Sequence, residues 1–259
     1  MKILVLGHNG YLGSRLFASL KQRGHEVWGL MRDADLRYSC LCHADLVVNC
    51  AGETKDESKM TRDNLLFAIE VARNCAAFKK RLIHVGSIYE TRKDKNLYAL
   101  TKFAASEAIL QMKAAQNLDA IIVRPVPIYG GKEPVDSMLR TMWDCYKNDT
   151  AFRCFENGVD WLHIDDFCEA IIALTEKPTW VRSVVDLAPT KFVYNQEIVK
   201  RFVAKVGAIK HVQFGPGLSK LVQPDPREML AETGWSPKIE TLDGMGRAMM
   251  DLWFEEDNG

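Results

Sequence analysis

The alternation of apolar and polar positions divides the chain into short branched apolar runs separated by longer stretches with helical spacing. Lys2-Ile3-Leu4-Val5-Leu6 has the length and branching of a buried strand, and it breaks at Gly7-His8-Asn9-Gly10-Tyr11-Leu12-Gly13. Leu16, Phe17 and Leu20 then recur at helical spacing up to a stop at Gly24. Glu26 to Met31 predicts a second strand, Asp45-Leu46-Val47-Val48-Asn49-Cys50 a third, and Arg81-Leu82-Ile83-His84-Val85 a fourth. Between the last two, Met60 to Phe78 carries Leu65, Leu66, Ile69, Val71 and Ala72 in a helical pattern, and Tyr98 opens a long helical segment reaching about Gln116. Strands that alternate with helices imply a parallel sheet covered on both faces, whose ligands lie beyond the carboxyl ends of the strands. Gly7, Gly52 and Ser87 all fall at such ends.

The second half predicts helices over Val135–Asn148, Asp165–Thr175, Asn195–Val206, Arg227–Glu232 and Leu242–Phe254, with one short strand at Val184–Leu187. The expected fold is α/β: a doubly wound, Rossmann-type parallel sheet with a small C-terminal substrate lobe. Residues 1–130 and the strand near 184–187 form the core of a single 259-residue unit, and residues 131–160 and 190–259 form the lobe. Only Asp33 to Ala44 separate the second strand from the third, where such a fold usually places a further strand and helix. That flank is expected to be shrunken.

Composition narrows the classes. The 34 basic residues balance 34 acidic ones, so no overall field draws the chain to nucleic acid or to a membrane surface. No apolar run is long enough to span a bilayer and no signal-peptide layout opens the chain, which makes the cytosol the expected compartment. Seven cysteines, mostly within apolar segments, suit reduced thiols. Cys40, Cys42 and His43 lack a second spaced pair of ligands, so no metal site is expected.

Two constellations carry candidate chemistry. The glycine-spaced loop stands between a strand and a helix, where glycines let backbone approach a diphosphate and the helix N-terminus attracts its charge. It predicts a dinucleotide site. The second strand ends not on the acid that usually meets an adenosine ribose but on Met31, followed by Arg32, which suits a 2′-phosphate; NADP(H) is expected ahead of NAD(H). Tyr98 and Lys102, four residues apart, share one helix face. An ammonium beside a phenol lowers its pKa from about 10 towards neutrality, which suits proton transfer at a carbonyl or alcohol, and Ser87 can hydrogen-bond the same oxygen. His163, the one ionisable residue of an apolar strand, is expected to be structural.

These motifs, in this order, resemble the short-chain dehydrogenase/reductase superfamily, in particular its extended branch of NAD(P)-dependent epimerases, dehydratases and reductases of nucleotide sugars. Gly7, Gly10 and Gly13, with Asn9, Tyr11 and Leu12 between them, resemble its cofactor loop, and Asn49-Cys50-Ala51-Gly52 its Asn-Ala-Gly strand end. Asn64 matches the asparagine of the family's catalytic tetrad, and Ser87, Tyr98 and Lys102 match the other three members. Arg124-Pro125-Val126-Pro127-Ile128-Tyr129-Gly130 is similar to the strand and turn beside the nicotinamide. Trp161 to Asp166 and Thr233-Gly234-Trp235-Ser236-Pro237 resemble later motifs of the branch.

The resemblance implies an enzyme in which Tyr98 is general acid/base, Lys102 binds the nicotinamide ribose, Ser87 positions the carbonyl and Asn64 supports a water relay. Two departures bear on the substrate. The arginine that often precedes the Asp-aromatic pair is Val159 here, so Arg140 or Arg153 would supply charge for a substrate diphosphate. The acidic pair expected after the serine of a dehydratase is replaced by Ile88 and Tyr89, with Glu90 later. The leading expectation is a ketoreductase of a nucleotide-linked keto-deoxy sugar. A 4-epimerase with the same tetrad is the alternative, and a dinucleotide sensor without turnover is the alternative of another class. The sequence admits a homodimer.

Overall fold

The computed structural model describes residues 1–30, 41–132, 134, 137–155, 160–216 and 224–257. Arg32 with its neighbours Met31, Asp33 and Asp35 lies outside the described residues, as do Cys40, Val135 and Val159.

Strand β1 (Lys2–Leu6) is buried from Ile3 onward, as a branched run covered on both faces should be. Helix α1 (Tyr11–Gln22) ends before Gly24, whose φ of 82° is the left-handed turn that leads into β2 (Glu26–Gly29). β3 (Leu46–Asn49) follows. The helix expected over Met60–Phe78 begins earlier and is interrupted: α2 (Glu57–Met60) passes through a π-helical stretch, Thr61–Leu66, into α3 (Phe67–Ala77). β4 (Arg81–Val85) leads to a 3-10 turn at Ile88–Thr91 and then to α4 (Leu97–Gln116), N-capped by Asn96 and ended by Asn117 in the left-handed region. The remaining elements are β5 (Ala120–Pro125), β6 (Ile128–Tyr129), α5 (Met138–Lys147), β7 (Phe152–Phe155), β8 (Leu162–His163), α6 (Ile164–Thr175), β9 (Val184–Leu187), α7 (Asn195–Lys205), β10 (Val212–Gly215), α8 (Arg227–Thr233) and α9 (Thr241–Asp257).

The main sheet has the order β2-β1-β3-β4-β5-β9, with every neighbouring pair parallel. Among the described residues β2 is its edge, and most of the flank expected to be shrunken lies outside the described residues. Ile3, Val5, Val48, Ile83 and Val85 pack with Leu16 and Leu20 of α1 and Phe167 of α6 on one face. Leu4, Leu6, Val47 and Leu82 pack with Val71 and Cys75 of α3 and Ile109 of α4 on the other. A third apolar cluster joins Leu139 and Trp143 of α5, Phe152 of β7, Phe202 of α7 and Met249 of α9. Tyr129 enters it from β6, its hydroxyl donating to the Thr241 carbonyl at 3.1 Å.

Helix α5 starts at Met138 because the Ser137 side chain accepts the Arg140 N–H at 3.0 Å. His163 is structural, as expected: it caps α6, its Nδ1 accepting the Asp165 N–H at 3.1 Å. Among the described residues no helix is long and apolar enough to cross a membrane.

Candidate active site

The parallel order brings the carboxyl ends of β1, β3, β4 and β5 to one edge, and most of the expected site residues sit there. After β1 the Gly10 N–H closes the loop on the Gly7 carbonyl at 2.9 Å. Gly7 has φ 73°, and a Cβ on it would lie 2.7 Å from the Ala51 nitrogen; a Cβ on Gly13 would overlap the Gly7 carbonyl. The loop is therefore a cradle whose depth depends on missing side chains. Gly10, the N-cap of α1, contributes no side-chain hydrogen bond and the first turn holds no acid, so a diphosphate would meet uncompensated positive helix charge there. Asn9 is exposed at the loop tip. The Tyr11 hydroxyl donates to the Gly130 carbonyl at 2.8 Å, tying the cradle to the turn after β6. Gly13→Ala is expected to abolish dinucleotide binding measured by calorimetry and to destabilise the fold by roughly 1–3 kcal/mol, because the overlapping partner is backbone.

The next strand end holds Cys50, Ala51 and Gly52. Asn49 Oδ1 accepts the Ala51 N–H at 3.1 Å, while its Nδ2 lies 3.3 Å from His84 Nδ1 in the adjoining strand. Burial pushes His84 down to about 3, so its ring stays neutral. A Cβ on Gly52 would stand 3.1 Å from Asn64 Oδ1 and 3.3 Å from Lys102 Nζ, which places these three residues together. Asn64 lies in the π-helical stretch and is buried. Its Oδ1 accepts the Glu53 N–H at 2.7 Å, and its Nδ2 donates to the Glu53 carbonyl at 2.9 Å and to Thr101 Oγ1 at 3.2 Å. Both amide protons are thus committed to protein, leaving one Oδ1 lone pair for a relay.

Ser87, Tyr98 and Lys102 close the constellation. Ser87 Oγ accepts the Tyr89 N–H at 3.3 Å and is hydrogen-bonded to the Tyr98 phenol. Lys102 is 5% exposed and donates to the Val85 carbonyl at 2.9 Å. Burial lowers its pKa, opposed by the charge of Glu90. Cys50 itself is pushed up to about 12 by burial and stays a thiol. Tyr98 differs from the expectation of a phenol drawn towards neutrality: burial pushes it up to about 12, with the Ser87 hydrogen bond pulling down and the Glu90 charge adding to the rise. Helical spacing put Lys102 beside Tyr98 but could not show that the ammonium is spent on a strand-end carbonyl, nor how dry the pocket is.

Pro125 ends β5, buried, and the next N–H, of Val126, bonds the Leu187 carbonyl at 3.0 Å. Arg140 pairs with Asp144 at 3.3 Å along α5, and Arg153 is exposed on β7 in register with Gln213. Sequence reasoning gave no role to Glu90, Thr101 or His84, all buried here. Glu90 carried a usable signal: Ser87-Ile88-Tyr89-Glu90 has capping-box spacing, and the structure contains that box, with Glu90 Oε1 accepting the Ser87 N–H at 2.8 Å.

A nucleotide cradle, a tyrosine–lysine helix face and a strand-end serine thus share one sheet edge. The sequence model of the NAD dependent epimerase/dehydratase family matches residues 3–186. The chain belongs to that family. Its members are enzymes of the extended short-chain dehydrogenase/reductase kind. No curated protein matches the chain in sequence. Among solved structures, the UDP-glucuronic acid 4-epimerase of Bacillus cereus, in complex with UDP-glucuronic acid and NAD, superposes with a TM-score of 0.82 at 18% identity, covering 99% of this chain and 100% of that one. The dTDP-glucose 4,6-dehydratase of Bacillus anthracis, in complex with NAD, gives 0.82 at 18%, covering 99% and 97%. The UDP-glucose 4-epimerase of Thermotoga maritima, with UDP-glucose, gives 0.82 at 14%, covering 100% of both chains. At these identities the likeness establishes the epimerase/dehydratase fold, and the glycine cradle described above fits the family's dinucleotide.

Proposed function

We propose that this protein is a cytoplasmic ketoreductase that uses NADP(H) ahead of NAD(H), and that its substrate is a keto-deoxy sugar carried on a nucleotide. The observation that supports reduction is the meeting of Ser87 and Tyr98 at the carboxyl end of β4, where a phenol that burial keeps protonated is hydrogen-bonded to the serine and can act as general acid. Gly7, Gly10, Gly13 and the first turn of α1 would hold the diphosphate, Ala51 and Gly52 the adjoining backbone, and Lys102 the nicotinamide ribose. A bound reduced nicotinamide supplies a hydride. Tyr98 gives its proton to the carbonyl oxygen, and Ser87, hydrogen-bonded to the phenol and held by the Tyr89 N–H, orients the group that receives it. Tyr98 regains a proton from water. The apolar cluster of α5, β7, α7 and α9 forms the substrate lobe in this reading, with Arg140 and Arg153 the candidates for the substrate diphosphate.

The 4-epimerase reading is favoured by the two 4-epimerases among the named neighbours. An epimerase retains its nicotinamide through the cycle, whereas a reductase releases it at each turnover. Protein purified without added cofactor is expected to be largely empty and to reduce a member of a panel of nucleotide-linked keto sugars with NADPH, read by mass spectrometry. Stoichiometric bound dinucleotide together with epimerisation that needs no NADPH reverses the ranking. A sensor would bind dinucleotide and reduce nothing in the panel.

The cofactor preference stands on Arg32. In calorimetry NADPH is expected to bind more tightly than NADH, and Arg32→Ala to reduce that preference through loss of charge-assisted hydrogen bonds to the 2′-phosphate. Equal or tighter NADH binding by the unaltered protein would falsify it.

A further inference from the structure

Glu90 has no part in the chemistry above, yet its carboxyl stands inside the site and is 4% exposed. Folding alone does not ask for an acid there. The capping box needs an acceptor for the Ser87 N–H, which a glutamine would supply without the cost of burying a charge. Space has been made for it as well, since a Cβ on Gly86 would overlap Glu90 Oε1. The groups that face the carboxyl are Tyr98, Lys102 and Ser106 from α4, Arg124 from β5, and the Ser87 N–H at the head of its own turn.

We infer that Glu90 is a positioning residue for proton transfer: its carboxylate fixes Ser87 against Tyr98 and holds the protonated forms of Tyr98 and Lys102. The inference rests on the reading of Tyr98 as proton donor. One carboxyl serves both purposes because its oxygen accepts the Ser87 N–H at 2.8 Å while its negative charge disfavours phenolate and favours ammonium. Burial raises Glu90, and Ser106, the Ser87 N–H, Lys102 and Arg124 oppose that rise and favour the charged form. Burial raises Tyr98 most, with Glu90 adding to the rise against the Ser87 hydrogen bond, and at Lys102 the Glu90 charge opposes the larger lowering by burial. His84, on the strand beside Lys102, is neutral and adds no competing charge.

The variant Glu90→Gln keeps an acceptor for the Ser87 N–H and removes the charge; Glu90→Ala removes both. Reduction needs protonated Tyr98, so turnover falls as pH rises through the phenol pKa, and dinucleotide affinity falls as Lys102 loses its proton. In Glu90→Gln both alkaline limbs are expected about one pH unit lower than in the unaltered protein. In Glu90→Ala turnover at neutral pH is expected about 10-fold lower still, with KM little changed, because the Ser87 backbone is released. Limbs at unaltered pH in Glu90→Gln overturn the inference and leave Glu90 as a cap alone. That comparison decides the matter even where Glu90→Ala does not fold. The affinity limb can also be measured in a Tyr98→Phe background, where no turnover is required. Full turnover by Tyr98→Phe would remove Tyr98 from the mechanism, while the affinity limb would still judge Glu90 through Lys102.

Discussion

Replacing Tyr98 by phenylalanine is expected to cut carbonyl reduction by about 10²–10⁴-fold while leaving the fold and dinucleotide binding in place. The change removes one oxygen from a half-buried ring and keeps the packing of that ring against Tyr89, whose centroid is 6.4 Å away. Ser87 loses its phenol partner but its Oγ still accepts the Tyr89 N–H, so the serine stays anchored to its turn. The glycine cradle, on the first strand and helix, makes no use of the phenol. The effect should therefore fall on turnover, with binding measured by calorimetry unchanged. The unaltered protein adds a pH test. Because burial holds the phenol at about 12, the proton donor stays loaded across the neutral range, and turnover should show no loss from this group between about pH 6 and about pH 9. A folded Tyr98→Phe variant that turns over as fast as its parent would show that another group delivers the proton.

Local features of this site were legible in the sequence and tertiary ones were not. The glycine spacing from Gly7 to Gly13 encodes a turn that requires missing side chains wherever it folds, and Tyr98 and Lys102 are placed on one face by helix geometry alone. Ser87 follows from the point where an apolar strand stops. The π-helical stretch around Asn64 was not legible in the apolar pattern: its extra residue per turn changes which side chains face inward, so that Asn64 is buried while Leu66, counted in the apolar pattern, is exposed. β7 and β10 were missed for a related reason. Each has four residues, only Phe152 and Cys154 of β7 turn towards the apolar cluster of α5, α7 and α9, and its partner strand lies about sixty residues away. The direction of the Tyr98 pKa was out of reach. It depends on how much water the packing of β4, α4 and the turn at Ile88–Thr91 excludes, and on a carboxyl whose position only the folded turn reveals.

Lys102→Met should lower dinucleotide binding as well as turnover, unlike Tyr98→Phe, which should spare binding. The ammonium lies between Gly52, the Val85 carbonyl and the Glu90 charge, on the edge where the glycine cradle opens. Losing it leaves the Val85 carbonyl without its donor, at a cost of about 1–3 kcal/mol for a buried acceptor. It also removes a desolvated charge, and relief of that penalty is of similar size and opposite sign. The two offset, so thermal unfolding should move by only a few degrees. Binding has no such offset. The ribose hydroxyls of a dinucleotide would face a thioether in place of a donor, and affinity should fall by about 10-fold or more, the loss of one charged hydrogen bond. Glu90, deprived of a counter-charge, should take up a proton more readily, so turnover should fall further than affinity does. Calorimetry with the reduced dinucleotide and a melting curve on the same sample provide the check. Unchanged affinity in a folded Lys102→Met variant would detach Lys102 from the nicotinamide ribose and leave it a purely internal partner of Val85 and Glu90.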